Sequence, residues 1–406
     1  MISRAAILER AAEWQLTPTV VEKDYVLGWL LAGLSQHPAT GETWVFKGGT
    51  CLKKCVLETY RFSEDLDFTL RPHAVYDADV LALMLAEVTT QVTDASGIQF
   101  PPGELRVRSR KNRAGDETFE ASIGYIGPLA FQGPPKIRLD LTKHEPVLRP
   151  VELRTVFHPY PDKLPADLRV RTYAIGELVA EKTRALCERT RPRDLYDVVL
   201  LGADTLAALD AGELRIIARE KFAVKSLTLP SVADVCRMAE QDEELRSEWE
   251  NMLGHQLPAT PSLDDFLRRL PEAIRWLDER AETAKPSRAA MRALPLKTGE
   301  TRVAPRGIYT WGVGVPLEAV RYAGASHLVV EFYYRNAIRR VEPYSLRRPK
   351  TGNLLLYAHE QTKNGARTDD IRAYKIAHMS AVRVTAESFT PRYAIDLTEQ
   401  SGVWHW

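Results

Sequence analysis

Hydrophobic positions along the chain follow two periods. Over residues 1–36, Ile2, Ala5, Ala6, Leu8, Val20, Val21, Tyr25, Leu27, Trp29 and Leu30 recur at helical spacing, and Pro18 stands near the start of a second helix. The run WVFKGG (44–49) predicts a short buried strand ending in two glycines, and TCLKKCVLE (50–58) predicts a helix. RFSEDLDFTL (61–70) passes from a turn into a strand, and residues 75–95 are helical again. TFEASIGYIG (118–127) and KIRLDLTKHE (136–145) alternate as strands do, across a Gly-Pro-Pro turn. Helical spacing then holds from 174 to 290, broken at Pro192, Pro230 and PATP (258–261). After AAMRALPLKTGETRVAPRG (289–307) the character turns to strands: HLVVEFYY (327–334), NLLLYAHE (353–360) and SAVRVTAESF (380–389). No repeat of fixed period is present.

This order predicts an α+β chain: an α/β core over 1–150, a helical subdomain over 151–288, a linker over 289–307 and a β-rich module over 308–406. The length of 406 residues agrees with two or three domains at ~150 residues each. Lys and Arg number 55 against 54 Asp and Glu, a net charge of +1, which excludes a globally basic nucleic-acid coat but not a local basic face. No apolar run approaches the ~20 residues of a membrane span. The first residues, MISRAAILERAAEW, are interrupted by Arg4, Glu9, Arg10 and Glu13 and read as an amphipathic helix rather than a secretory leader. Four cysteines are too few for a disulfide scaffold, and the cytoplasm is the expected compartment. Cys51 and Cys55 share one helix face and read as core, with no histidine pair placed to complete a zinc site.

Three features of the first 150 residues carry chemistry. Lys47-Gly48-Gly49-Thr50 lies at a strand-to-helix junction, where two glycines let backbone approach a ligand and the helix start offers N–H groups to phosphate. Thr50 adds a hydroxyl. In Ser63-Glu64-Asp65-Leu66-Asp67, the two aspartates are one residue apart and so share a strand face. Paired carboxylates repel unless a cation lies between them, and hard oxygen ligands suit Mg²⁺. Phe62, Leu66 and Phe68 put the other face into a core. Asp140, in Lys136-Ile137-Arg138-Leu139-Asp140-Leu141-Thr142, is a third carboxylate able to complete a two-metal site or take a proton from an attacking hydroxyl. Taken singly, these features also read as a tight turn, a solvated edge strand and an exposed strand residue. Lys53 and Lys54 either face the phosphates or are solvated, with solvation expected for at least one.

The stretch VFKGGTCLKKCVLETYRFSEDLDFTL (45–70) resembles the AbiEii/AbiGii toxin nucleotidyltransferases of the DNA polymerase β superfamily. The resemblance continues at Glu181-Lys182, Ala185-Leu186, Arg189 and Arg193-Asp194-Leu195-Tyr196-Asp197, and covers roughly residues 15–285. It implies a polymerase-β-like core, a mixed sheet flanked by helices, completed by a helical subdomain. It implies an NTP substrate and two Mg²⁺ ions. Lys47, Gly48, Gly49, Thr50 and Ser63 would hold the triphosphate, Asp65, Asp67 and Asp140 the metal, and Lys182 would neutralise phosphate charge. Asp194 or Asp197 would position Lys182 or the nucleotide; alternatively Asp194 is a helix N-cap and Asp197 a first-turn charge. The implied reaction moves NMP to an RNA hydroxyl, with a tRNA 3′ end as the expected acceptor, and a winged-helix AbiEi-like antitoxin is the implied partner. Rival readings are transfer to a protein hydroxyl, or an inert core with a sensing role.

Two basic runs stand out beside these motifs. Arg106, Arg108, Arg110, Lys111 and Arg113 lie between the strands and read as a phosphate-backbone contact or a solvated hairpin. From Arg335 to Lys350 six basic residues, Arg339, Arg340 and Arg347 among them, surround one acid (Glu342) and Tyr344. An aromatic among arginines can stack a base while they grip phosphate, and a solvated rim is the plainer reading. Residues 315–393 resemble a WYL domain, although Leu354-Leu355-Leu356-Tyr357 replaces the W-Y-L tripeptide. That resemblance implies a small Sm/SH3-like β-barrel that senses an unknown ligand or nucleic acid, with Arg372, and Tyr374 beside it, facing the groove. The aromatic tail Val403–Trp406 is expected to pack on the barrel or on another subunit.

Overall fold

The computed structural model describes residues 1–57, 61–111, 115–205, 209–278, 301–302, 317–349 and 352–401. The expected linker (apart from 301–302), Arg113 and the aromatic tail lie outside them. The described chain divides into two compact units, Met1–Leu178 with Ala223–Ser226, and Val179–Phe222 with Leu227–Trp406.

The first unit opens with α1 (Arg4–Trp14), capped by the Ser3 hydroxyl accepting from the Ala6 N–H, and α2 (Pro18–Gln36), which starts on Pro18. Then come α3 (Pro38–Thr43), β1 (Trp44–Lys47), α4 (Gly48–Cys51) and β2 (Asp65–Leu70). α5 (Ala78–Ser96) is capped by Asp77 and closed by Gly97 in the left-handed region. β3 (Leu105–Lys111), β4 (Glu117–Gly124), β5 (Lys136–Thr142), β6 (Glu152–Arg154) and β7 (Val170–Thr172) follow. The expected helix over 50–58 is real only in part: α4 passes at once into a π-helical turn, Leu52–Val56.

These strands form one mixed sheet in the order β3-β4-β5-β2-β1-β7-β6, parallel at β2/β5 and β1/β7 and antiparallel elsewhere. Alternation decides its two faces. Leu66, Phe68, Phe119, Ala121, Ile123, Ile137, Leu139 and Leu141 are buried on one, while their polar neighbours take the other. α5 packs on α2 and β3.

The second unit carries α6 (Ile175–Arg189, from Val179 onward), α7 (Pro192–Thr205), α8 (Ala211–Ala223), α9 (Val232–Gln241), α10 (Glu243–Leu253) and α11 (Leu263–Ala273). A β-rich part follows: β8 (Thr301–Arg302), α12 (Leu317–Ser326), β9 (Leu328–Tyr333), β10 (Ile338–Arg348), β11 (Leu355–Lys363), β12 (Ala366–Lys375), β13 (Ser380–Ser388) and β14 (Ile395–Ser401). The two parts meet inside this unit. The Tyr322 hydroxyl donates to the Ala259 carbonyl, and His327 lies between Thr301 at 3.1 Å and Asp265 at 3.5 Å.

The described strands form an open sheet rather than the expected barrel. β11 runs along one edge of β10, whereas the other edge is shared: Ile338–Val341 pair with β9 and Ser345–Arg348 with β14. Pro343 lies at the change of partner, and without an N–H it cannot carry a continuous ladder there. Among the described residues β8, β12 and β13 each pair with one strand only. No helix among the described residues is long and apolar enough to cross a membrane.

Candidate active site

The sheet of the first unit brings the sequence motifs into one row. β1 pairs Lys47 with Asp67, β2 pairs Asp67 with Asp140, and β4 pairs Glu120 with Asp140. Residues paired across adjacent strands point to the same face, so Asp67, Asp140 and Glu120 lie side by side. Asp65, two residues from Asp67, shares that face and pairs with Arg138. Glu120 was not among the expected site residues. Its signal was the alternation of TFEASIG, which turns Phe119 and Ala121 inward and Glu120 outward, but its place beside Asp140 depends on a strand register that no single segment states.

The glycine turn is built onto this row. Gly48 has φ +77°, and a Cβ there would lie 1.9 Å from Asp67 Oδ2 and 2.8 Å from its Cγ. Only glycine meets both conditions without strain. A Cβ on Gly49 would lie 2.9 Å from the Arg61 guanidinium and 3.0 Å from Ser63 Oγ, which places both side chains over the turn. Arg61 is buried, and its cation beside the turn was also not foreseen as part of the site. α4 runs directly into the π turn, so Gly48–Val56 form one short helical stretch, and the close backbone approach at Gly48 is what the turn adds to it.

Other expected residues are committed to the scaffold. The buried Thr50 hydroxyl donates to the Asp65 carbonyl and ties the turn to β2. Lys47 pairs with Glu145 and lies 5.7 Å from the Tyr173 ring centre. Neither Lys53 nor Lys54 is solvated, contrary to expectation. Lys54 is buried against Asp24 at 2.6 Å, and Lys53 is buried with its ammonium 4.3 Å from the Phe62 ring centre. Cys51 and Cys55 are core residues, as expected.

Charge on the face is crowded. Burial, then the negative charges of Asp65 and Glu120, push the Asp140 carboxyl above the usual carboxylate range. This hard-oxygen set suits a divalent cation, whose charge would relieve that repulsion. Among the described residues no three His, Cys, Asp or Glu side chains close round a common point, so the chain presents a carboxylate row rather than a finished metal cage.

In the second unit, Lys182 lies 2.7 Å from Asp197 and 4.0 Å from Asp194. Asp194 is gripped by Arg189 through two hydrogen bonds, Nε to Oδ2 at 2.6 Å and Nη2 to Oδ1 at 2.9 Å. Both carboxylates are buried. The acids therefore divide their work: Asp197 holds Lys182 and Asp194 holds Arg189. Asp194 is not an N-cap, since α7 begins at Pro192 and places it inside the first turn, with Asp197 almost one turn further on.

The basic runs fare differently. Arg106, Arg108, Arg110 and Lys111 belong to β3 itself, an edge strand, and are exposed rather than lying in a hairpin loop. In the C-terminal part Arg339 pairs with Glu360 at 2.7 Å, Arg340 with Glu387, and Arg372 with Asp370 at 2.8 Å. Arg347 is partly buried and donates to the Ser345 hydroxyl. Tyr344, expected to be available for stacking, is buried and donates to Glu342 at 2.6 Å. Tyr374 is likewise buried, with its hydroxyl on Glu360.

Comparison with known proteins follows this geometry. The family model described as nucleotidyl transferase AbiEii toxin, type IV toxin–antitoxin system, matches residues 29–279. Among solved structures, the chain is similar to MenT4, a nucleotidyltransferase toxin of Mycobacterium tuberculosis H37Rv, at 22% identity and a TM-score of 0.45, over 69% of this chain and 91% of that one. No curated protein matches in sequence.

Proposed function

Given that the chain belongs to the AbiEii family of nucleotidyl transferase toxins of type IV toxin–antitoxin systems, we propose that it transfers NMP from an NTP to an RNA hydroxyl, a tRNA 3′ end above all. The observation that carries the site assignment is the register Asp67–Asp140 on adjacent strands, with the Gly48 turn folded onto Asp67. In this reading the triphosphate is received at Gly48-Gly49, where missing side chains admit it close to backbone, with Ser63 beside the turn. Lys47 and Thr50, tied to Glu145 and Asp65, shape the turn from beneath.

Asp65, Asp67 and Asp140 would hold Mg²⁺, two ions in this proposal, which supply Lewis-acid activation of the acceptor hydroxyl and offset charge on the leaving pyrophosphate. If the metal is held by Asp65 and Asp67 alone, Asp140, beside Asp67 in register, is instead the carboxylate placed to take the proton from the attacking hydroxyl. Lys182, held by Asp197, keeps the phosphate-neutralising role that the resemblance implies, and Asp194 holds Arg189 within the same unit. Type IV family membership implies a cognate antitoxin; a winged-helix AbiEi-like protein, action in the cytoplasm and growth arrest or phage blockade belong to the proposal. So does a WYL-like sensing role for the C-terminal sheet, with Arg339, Arg340, Arg347 and Arg372 as its nucleic-acid or ligand contacts.

The test is incubation with each α-labelled NTP in turn, with total RNA and with total protein as acceptors. Label on RNA supports the proposal. Label confined to protein replaces the acceptor, and no label on either returns the chain to a sensing role.

A further inference from the structure

The carboxylate face has a basic flank on the same side of the sheet. In register, Arg108 pairs with Glu120, Glu120 with Asp140 and Asp140 with Asp67, so one straight row crosses four strands from arginine to the central carboxylate. The next row runs Arg106, Ser122, Arg138, Asp65. Residues two apart on a strand share a face, so Arg106, Arg108 and Arg110 all project on the carboxylate side. Arg110 pairs with Glu120 at 3.0 Å. Arg106 and Arg108 are exposed and have no ion-pair partner among the described residues. β3 is the sheet's edge, so nothing in the sheet lies beyond them.

Two exposed guanidinium groups at the open end of the row, with no ion-pair partner among the described residues, are free to meet an anionic partner. We infer that Arg106 and Arg108 grip the phosphate backbone of the acceptor RNA and lead its 3′ end inward across β4 and β5 to Asp67 and Asp140. Three strand spacings separate Arg108 from Asp67, about 14 Å. At 3.4 Å per stacked nucleotide, that places the gripped phosphates about four nucleotides from the reacting end. This inference rests on the RNA-transfer reading above.

The experiment compares wild type with Arg106→Glu/Arg108→Glu, both substitutions lying on an exposed strand edge. Acceptors are 3′-ended RNAs of graded length, and the readout is kcat/KM for acceptor together with KM for NTP, at 50 and 200 mM salt. In wild type, acceptor efficiency climbs as the RNA grows past about four nucleotides. In the variant that gain is absent, while dinucleotide transfer and the KM for NTP are unchanged. With two phosphate contacts removed at a slope of ~0.7 each, raising salt fourfold costs wild type about sevenfold more efficiency than the variant. Equal length and salt dependence in both proteins overturns the track while leaving RNA transfer standing. Absence of RNA labelling by wild type overturns the transfer reading itself and the track with it.

Discussion

A methyl group at residue 48 probes the site most sharply. Gly48→Ala has two separable costs. Holding alanine at φ +77° costs about 1–2 kcal/mol. The new Cβ would also lie 1.9 Å from Asp67 Oδ2 and 3.0 Å from Asp67 Cβ. Because β2 is paired on both sides, its backbone cannot retreat, and relief comes from turning the carboxylate off its rotamer at about 0.5–1.5 kcal/mol. The fold should therefore lose about 1.5–3.5 kcal/mol, which a domain of ordinary stability of about 5–15 kcal/mol survives. The carboxylate itself moves by an ångström or more, and a displacement of that size costs about 10²-fold in rate. Urea denaturation followed by tryptophan fluorescence reads the first effect and steady-state nucleotidyl transfer the second. Gly49→Ala should lose less, since its Cβ meets only the ends of the Arg61 and Ser63 side chains, and Gly133→Ala, with nothing within 4 Å, should be silent. A folded Gly48→Ala protein with transfer within a few-fold of wild type would refute the close packing of turn and carboxylate.

Two more outcomes follow. Asp197→Asn leaves the buried Lys182 ammonium without its near partner and should cost about 3–5 kcal/mol in urea denaturation, whereas Asp194→Asn, facing a half-exposed Arg189, should cost less; the opposite ranking would reverse their assigned roles. His158 and His327 are both held below the usual imidazole range, first by burial. The unfolded chain then takes up protons at these positions below about pH 6.5 while the folded chain resists, so stability should fall as pH drops through that value, by at most ~1.36 kcal/mol per pH unit for each histidine. His158→Gln should flatten part of that slope in thermal melts between pH 7.5 and 5.5, and an unchanged slope would show that the imidazole is not buried neutral.

The parts of this site that sequence made legible are the local ones. The turn at Gly48-Gly49, the shared face of Asp65 and Asp67 and the strand holding Asp140 each follow from spacing within a few residues. What depended on partners far along the chain was not legible. The place of Lys54 could not be read because its partner Asp24 lies thirty residues earlier, on another helix. β3 has only Leu105 and Val107 to mark an inner face, because an edge strand needs little apolar signal, and so its arginines read as a loop. Tyr344 looked available among arginines until β10 placed it inside the sheet's core. The C-terminal module was legible as strands by alternation, whereas the fork at Pro343, which leaves the described strands an open sheet, is a matter of pairing. The helix pair bearing Lys182 and Asp197 was readable as helices, while the choice between Asp194 and Asp197 needed the 2.7 Å and 4.0 Å distances.

The central claim is that the Asp67–Asp140 row performs nucleotidyl transfer to RNA. It is tested most directly by incubating purified protein, Mg²⁺ and α-labelled NTP with tRNA, beside Asp67→Ala and Asp140→Ala. The account predicts label on the tRNA 3′ end with wild type and its loss in both variants, each still folded by circular dichroism. Full labelling by Asp67→Ala, or no labelling of RNA by wild type, would contradict it.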